Sequence, residues 1–102
     1  MRQRLPHRRA ADVVIFAHEG RRWTATFGRF PDGKLAEVFL DARKESPLAE
    51  VARESALLAS LGLQHGCHVE TIRHALDGRD AGPLAAALSL IAPDRDMPQR
   101  EP

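Results

Sequence analysis

Hydrophobic and polar positions follow a strand pattern between residues 12 and 42, and the period then lengthens. "DVVIFAHE" (12–19) is β-branched and aromatic and reads as a strand. Glu19-Gly20 is a tight-turn pair, followed by "RRWTATFGRF", where Trp23, Ala25 and Phe27 fall on one face and Arg22, Thr24 and Thr26 on the other. "FPDGK" (30–34) is a turn in which proline presets φ, aspartate holds its own backbone and glycine takes the left-handed position. "KLAEVFLDA" (34–42) is a third strand. Short turns between consecutive strands predict an antiparallel meander.

The helical period begins at Ser46, an N-cap, with Pro47 in the first turn where its missing N–H costs nothing. Leu48, Val51, Ala52, Ser55, Leu58, Ala59 and Gly62 recur at three- and four-residue spacing, which predicts that this stripe faces the sheet. Gly66 is a C-terminal stop. A second helix is expected from Val69 to Leu76 with Ile72, Ala75 and Leu76 inward, and a third after Gly82-Pro83 with Leu84, Ala87, Leu88 and Ile91 on one face. The fold class expected is therefore α+β: a three-stranded antiparallel meander followed by two or three helices on one sheet face. Residues 11–92 read as a single domain, flanked by a basic arm (1–10) and a tail (93–102) that both lack apolar periodicity and are expected to be disordered.

Both sheet faces carry apolar residues. Val38 and Leu40 fall on one face of the third strand, Leu35 and Phe39 on the other; the first strand separates Val14 and Phe16 from Val13 and Ile15. Helices that follow a meander cover one face, so the other is solvated, covered by a tail or buried against a second subunit; the last is the favoured expectation, a homodimer or larger homo-oligomer through this face.

Composition narrows the class. The chain has 102 residues, 43% hydrophobic and 28% charged, enough for one core and an ordinary soluble surface. No apolar run approaches the roughly 20 residues that span a bilayer, and no apolar segment follows the basic start, so a cytoplasmic protein without membrane contact is expected. One cysteine, Cys67, excludes an internal disulfide. The net charge of +1 conceals an uneven distribution: Arg2, Arg4, Arg8 and Arg9 crowd the first nine residues, while residues 10–91 are slightly acidic. A broad basic face for nucleic acid is thereby disfavoured, and the arm is left as the nucleic-acid alternative, gripping phosphates by counterion release.

Candidate chemistry is sparse. Glu37 and Asp41 share a strand face but lie roughly 13 Å apart at strand rise, too far for a glycosidase pair. His65, Cys67 and His68 are metal-ligand types, with His74 a further candidate, but the second spaced pair of a structural zinc site is missing; the simpler reading is a helix end followed by a cap. Cys67 near a helix N-terminus is also a candidate thiol. Arg43 and Lys44 before the first helix, and Arg79 before the third, are candidate anion or nucleotide contacts, although neither segment is a Walker or dinucleotide-type glycine loop. No cofactor is expected.

"DGKLAEVFLDARKES", followed by a small-residue helix ending "ASLGLQHGCHVETIRHAL", resembles the TSCPD domain, which is also found near the C-terminal end of adenosylcobalamin-dependent (class II) ribonucleotide reductases. The matching positions are Gly33, Leu35, Glu37, Val38, Phe39, Leu40 and Asp41, then "SLGLQHG" at 60–66, then Glu70, within roughly residues 22–91. Glu37, Phe39 and Asp41 form the shared signature on one sheet face. The chain departs from the reductases in having one cysteine and no catalytic barrel, His68 where relatives tend to have proline, and "DRDMPQREP" where a cysteine-rich segment often follows. The resemblance thus implies a stand-alone module of nucleotide metabolism without catalytic residues of its own, a binding or accessory subunit whose partner is a nucleotide or a reductase chain.

Overall fold

The computed structural model describes residues 11–76 and 82–91. The basic arm, the tail and Arg79 lie outside the described residues. Three strands, β1 (Ala11–His18), β2 (Arg21–Arg29) and β3 (Leu35–Ala42), form an antiparallel sheet in the order β1-β2-β3. Three helices follow among the described residues: α1 (Pro47–Gln64), α2 (Val69–Leu76) and α3 (Pro83–Leu88). The molecule is the expected α+β meander with helices packed against it.

Each connection follows from local chemistry. Glu19 and Gly20 both have positive φ, 52° and 74°, the mirror-image turn whose twist matches a two-residue hairpin. In the second turn the Asp32 carboxylate accepts the Lys34 N–H at 3.0 Å, while the Gly33 N–H donates to the Phe30 carbonyl. Ser46 caps α1, its hydroxyl accepting from the Ala49 N–H at 3.1 Å. The other end of α1 closes in a Schellman motif: the Cys67 N–H donates to the Gly62 carbonyl and the Gly66 N–H to that of Leu63. Gly66 at φ 101° is the left-handed residue that this closure requires.

The inner face carries Val14 and Phe16 from β1, Trp23, Ala25 and Phe27 from β2, and Val38 and Leu40 from β3. Ala52, Ala56 and Leu63 of α1, Val69 of α2, and Ala87 and Leu88 of α3 complete the core.

The structure corrects three sequence expectations. The inward stripe of α1 is Ala49, Ala52, Ala56, Ser60, Leu63 and Gln64, rotated from the expected one. Leu48, Val51 and Leu58 are instead 41%, 61% and 68% exposed, and Ser55 is only half-buried. The reason is proximity. α1 packs on β3, and a seam of alanines and a serine brings the helix backbone nearer the strand than leucines would allow. Ala75 is exposed, whereas Ile72 and Leu76 do pack against the core.

Leu35 provides the third correction. Gly28 pairs with Glu37 and Arg29 with Leu35, so Ala36 is an extra residue without a β2 partner. This bulge breaks the two-residue alternation, and Leu35 joins the core at 2% exposure instead of sharing a face with Phe39.

α1 also completes the sheet chemically. It runs antiparallel to β3, and the Ser60 hydroxyl accepts the Val38 N–H at 2.8 Å and donates to the Val38 carbonyl at 2.9 Å. Gln64 Nε2 donates to the Ala36 carbonyl at 3.2 Å. Backbone groups that would stay unpaired on an edge strand are thus taken up by two side chains of one helix.

Candidate functional site

The outer sheet face is partly open. Val13, Thr26 and Phe39 form one cross-strand row; Ile15, Thr24 and Asp41 form the next. Val13, Ile15 and Phe39 are 63%, 66% and 44% exposed, so the second apolar face read from the sequence exists. Beside it rises α1, whose Leu57 and Arg53 form a wall. Thr24, Thr26, Phe39, Asp41, Arg43 and Arg53 line the groove between them.

Three sequence-predicted residues, Phe39, Asp41 and Arg43, meet in this groove. Arg43 is exposed in the β3–α1 turn, its N–H donating to the Arg22 carbonyl. Lys44 is exposed next to it. The helix terminus they adjoin is capped by Ser46, with Glu50 in its first turn and Glu45 just before it.

Arg53 escaped the sequence reading. Its guanidinium donates to Asp41 Oδ1 at 3.0 Å and to Glu45 Oε1 at 2.5 Å. The Glu45 hydrogen bond raises the guanidinium pKa above its ordinary value, and Asp41 adds to the effect. The pairing ties the end of β3 to α1 and engages one of the two groove arginines with carboxylates. A strand residue and a helix residue twelve positions apart leave no periodic signal, so Arg53 becomes visible once the helix is docked. Asp41 thus finds its cation on α1.

Glu37 shares the outer parity but is 6% exposed. Its side chain lies over Gly28, the cross-strand partner: a Cβ on Gly28 would stand 2.7 Å from Glu37 Oε2 and 2.8 Å from its Cγ. Glycine at 28 is therefore a packing requirement of Glu37. Gly28→Ala is expected to cost about 1–3 kcal/mol through overpacking. In a Glu37→Ala background the same change is expected to be neutral or mildly stabilising, because the crowding is gone and alanine restricts the unfolded chain. A double-mutant cycle in urea checks this; additive effects would rule out the contact as the cause.

His65, Cys67 and His68 lie in the α1–α2 connection, and His74 on α2. Cys67 Sγ contacts the His68 carbonyl at 3.6 Å. Among the described residues no group of three or more His, Cys, Asp or Glu is arranged to hold a metal ion. No helix among them is long and apolar enough to cross a membrane.

Comparison with known proteins gives these features a context. The chain is 33% identical over 70 residues to the vitamin B12-dependent ribonucleotide reductase of Agrobacterium fabrum, a match covering 68% of this chain and 6% of the reductase. It is 36% identical over 72 residues to the enzyme of the same name from Streptantibioticus cattleyicolor, covering 70% of this chain and 12% of that protein. The Streptomyces clavuligerus enzyme matches at the same identity over 8% of its length. The chain is thus similar to one short region of these reductases and spans 6–12% of their length. No family model and no solved structure matches it.

Proposed function

We propose that the chain is a TSCPD-type module, a non-catalytic binding or accessory subunit of nucleotide metabolism, whose outer groove holds a nucleotide. The proposed module spans residues 11–92, with cytoplasmic location and no cofactor. The convergence of Phe39, Asp41 and Arg43 beside two threonine hydroxyls carries the reading. Phe39 offers a ring face for a base, Thr24 and Thr26 offer hydroxyls, and Arg43, Lys44 and, from outside the described residues, Arg79 are the proposed phosphate contacts. The similarity to a segment of ribonucleotide reductases supports nucleotides as the ligand class and a reductase chain as the macromolecular partner. Self-association through the exposed sheet face belongs to the same proposal.

Titration calorimetry with ATP tests the groove. Wild-type protein is expected to bind, and Arg43→Glu to weaken binding about tenfold or more through loss of a charge-assisted contact. Thr71→Ala, on the exposed surface of α2 and outside the groove lining, is expected to leave affinity unchanged. Absence of ATP binding by the wild type, or equal affinity of the Arg43 variant, overturns the nucleotide assignment. Failure to capture a reductase large chain from the native cell overturns the accessory role.

A further inference from the structure

The two edges of the sheet are treated differently. α1 occupies the β3 edge, with Ser60 and Gln64 bonded to its outward backbone groups. β1 is the other edge strand. Because Val38 points its N–H and carbonyl away from β2, the alternation of antiparallel pairing fixes the rest. Its partner Phe27 faces β1, Asp12 faces Phe27, and the odd residues 11, 13, 15 and 17 direct their backbone groups outward. Among the described residues no backbone hydrogen bond outside the sheet ladder reaches these β1 groups. Edges of this kind are usually blunted by lysine, proline or a bulge. Ala11–His18 contains no lysine or proline, and its register with β2 is unbroken.

We propose that β1 pairs with β1 of a second copy, antiparallel about a two-fold axis at Ile15, to make a continuous six-stranded sheet. The proposal rests on the self-association reading above but moves its contact from the sheet face to the sheet edge, and it fixes a register. The strand is self-complementary in this register. Ile15 meets the partner's Ile15 in a hydrogen-bonded pair, Val14 meets the partner's Phe16, and Val13 meets the partner's Ala17. At both ends the Asp12 carboxylate faces the imidazole of the partner's His18. A register shorter by two would set Asp12 against Phe16. Val13 and Ile15, 63% and 66% exposed in one copy, gain same-face aliphatic neighbours across the axis, and the outer grooves of both copies come to lie on one surface.

Cross-linking of the full chain in a Cys67→Ser background tests the geometry. Cα atoms of a hydrogen-bonded antiparallel pair stand about 5.5 Å apart, within the disulfide window. Ile15→Cys is therefore expected to oxidise to a covalent dimer at least about tenfold faster than Val13→Cys, whose sulfurs are held a strand segment apart. Phe39→Cys reports face-to-face stacking instead. Faster dimerisation of Phe39→Cys than of Ile15→Cys overturns the edge pairing and leaves self-association through the face. A single protomer by light scattering at every concentration, with no preferential Ile15→Cys cross-link, overturns both. Neither result bears on ATP binding, so the nucleotide reading stands or falls separately.

Discussion

Replacing Ser60 with alanine is expected to destabilise the protein by about 2–4 kcal/mol, although it removes a single oxygen. The hydroxyl is 3% exposed as part of its residue and serves Val38, which is fully buried. It accepts the Val38 N–H and donates to the Val38 carbonyl, the two bonds that a neighbouring strand would otherwise supply. Alanine leaves both backbone groups buried without partners, and each such group costs about 1–3 kcal/mol. Burial beneath α1 keeps water from taking over. Ser60→Cys retains the size and a weak donor and acceptor, and is expected to lose less than alanine does. Urea unfolding of the three proteins with a common m-value checks this. A cost for alanine below about 1 kcal/mol would mean that water or a shift of the helix satisfies Val38, and that the serine does not hold α1 to the edge.

Ser60 also shows where sequence reasoning reaches its limit. The strands were legible because their chemistry is local: alternation, a Glu-Gly turn and a Pro-Asp-Gly turn need no tertiary context. The start and stop of α1 were legible for the same reason, through Ser46, Pro47 and Gly66. The buried stripe of α1 was not. Hydrophobic periodicity ranks leucine and valine above alanine and serine, and it selects the wrong face when closeness of approach, not apolar area, governs packing. Leu48, Val51 and Leu58 hold the larger apolar surface and face outward; Ala49, Ala52, Ala56 and Ser60 hold the smaller and face β3.

The site divides along the same line. Phe39, Asp41 and Arg43 fall within five residues of one another across a strand end; the first two stand out through the resemblance and Arg43 through its charge before a helix. Arg53, Leu57 and the Gly28–Glu37 contact depend on helix docking and strand register, which composition does not encode. Leu35 was misplaced because a bulge at Ala36 reverses parity, and no residue type announces that bulge.

Arg73 is the second residue on which a large effect is expected, and it links parts of the fold that have few other ties. From α2 its Nε and Nη2 donate to the Leu88 carbonyl at 3.0 and 2.6 Å, and Nη2 also reaches the Ile91 carbonyl at 2.8 Å. Nη1 pairs with Glu70 one turn earlier on α2. The guanidinium thus collects carbonyls at the C-terminal end of α3, where the helix leaves acceptors unsatisfied and a cation is favoured. α3 has six residues, far below the length at which a helix persists alone, so its place over the core depends on such ties and on Ala87 and Leu88. Arg73→Met keeps the apolar stem and removes the donors; it is expected to cost about 2–3 kcal/mol, in line with charge-assisted hydrogen bonds to partly buried acceptors. Arg73→Lys keeps the charge without the planar fork and is expected to recover part of the loss. Glu70→Gln is expected to change stability little, since the carboxylate is partly solvated and the carbonyl bonds remain. Hydrogen exchange distinguishes this clamp from a general packing role. In Arg73→Met the α3 amides that are hydrogen-bonded, such as Ala86 and Ser89, are expected to lose protection before those of β2. Uniform loss across sheet and helix, or none, would place the anchoring of α3 in its apolar contacts and not in the arginine.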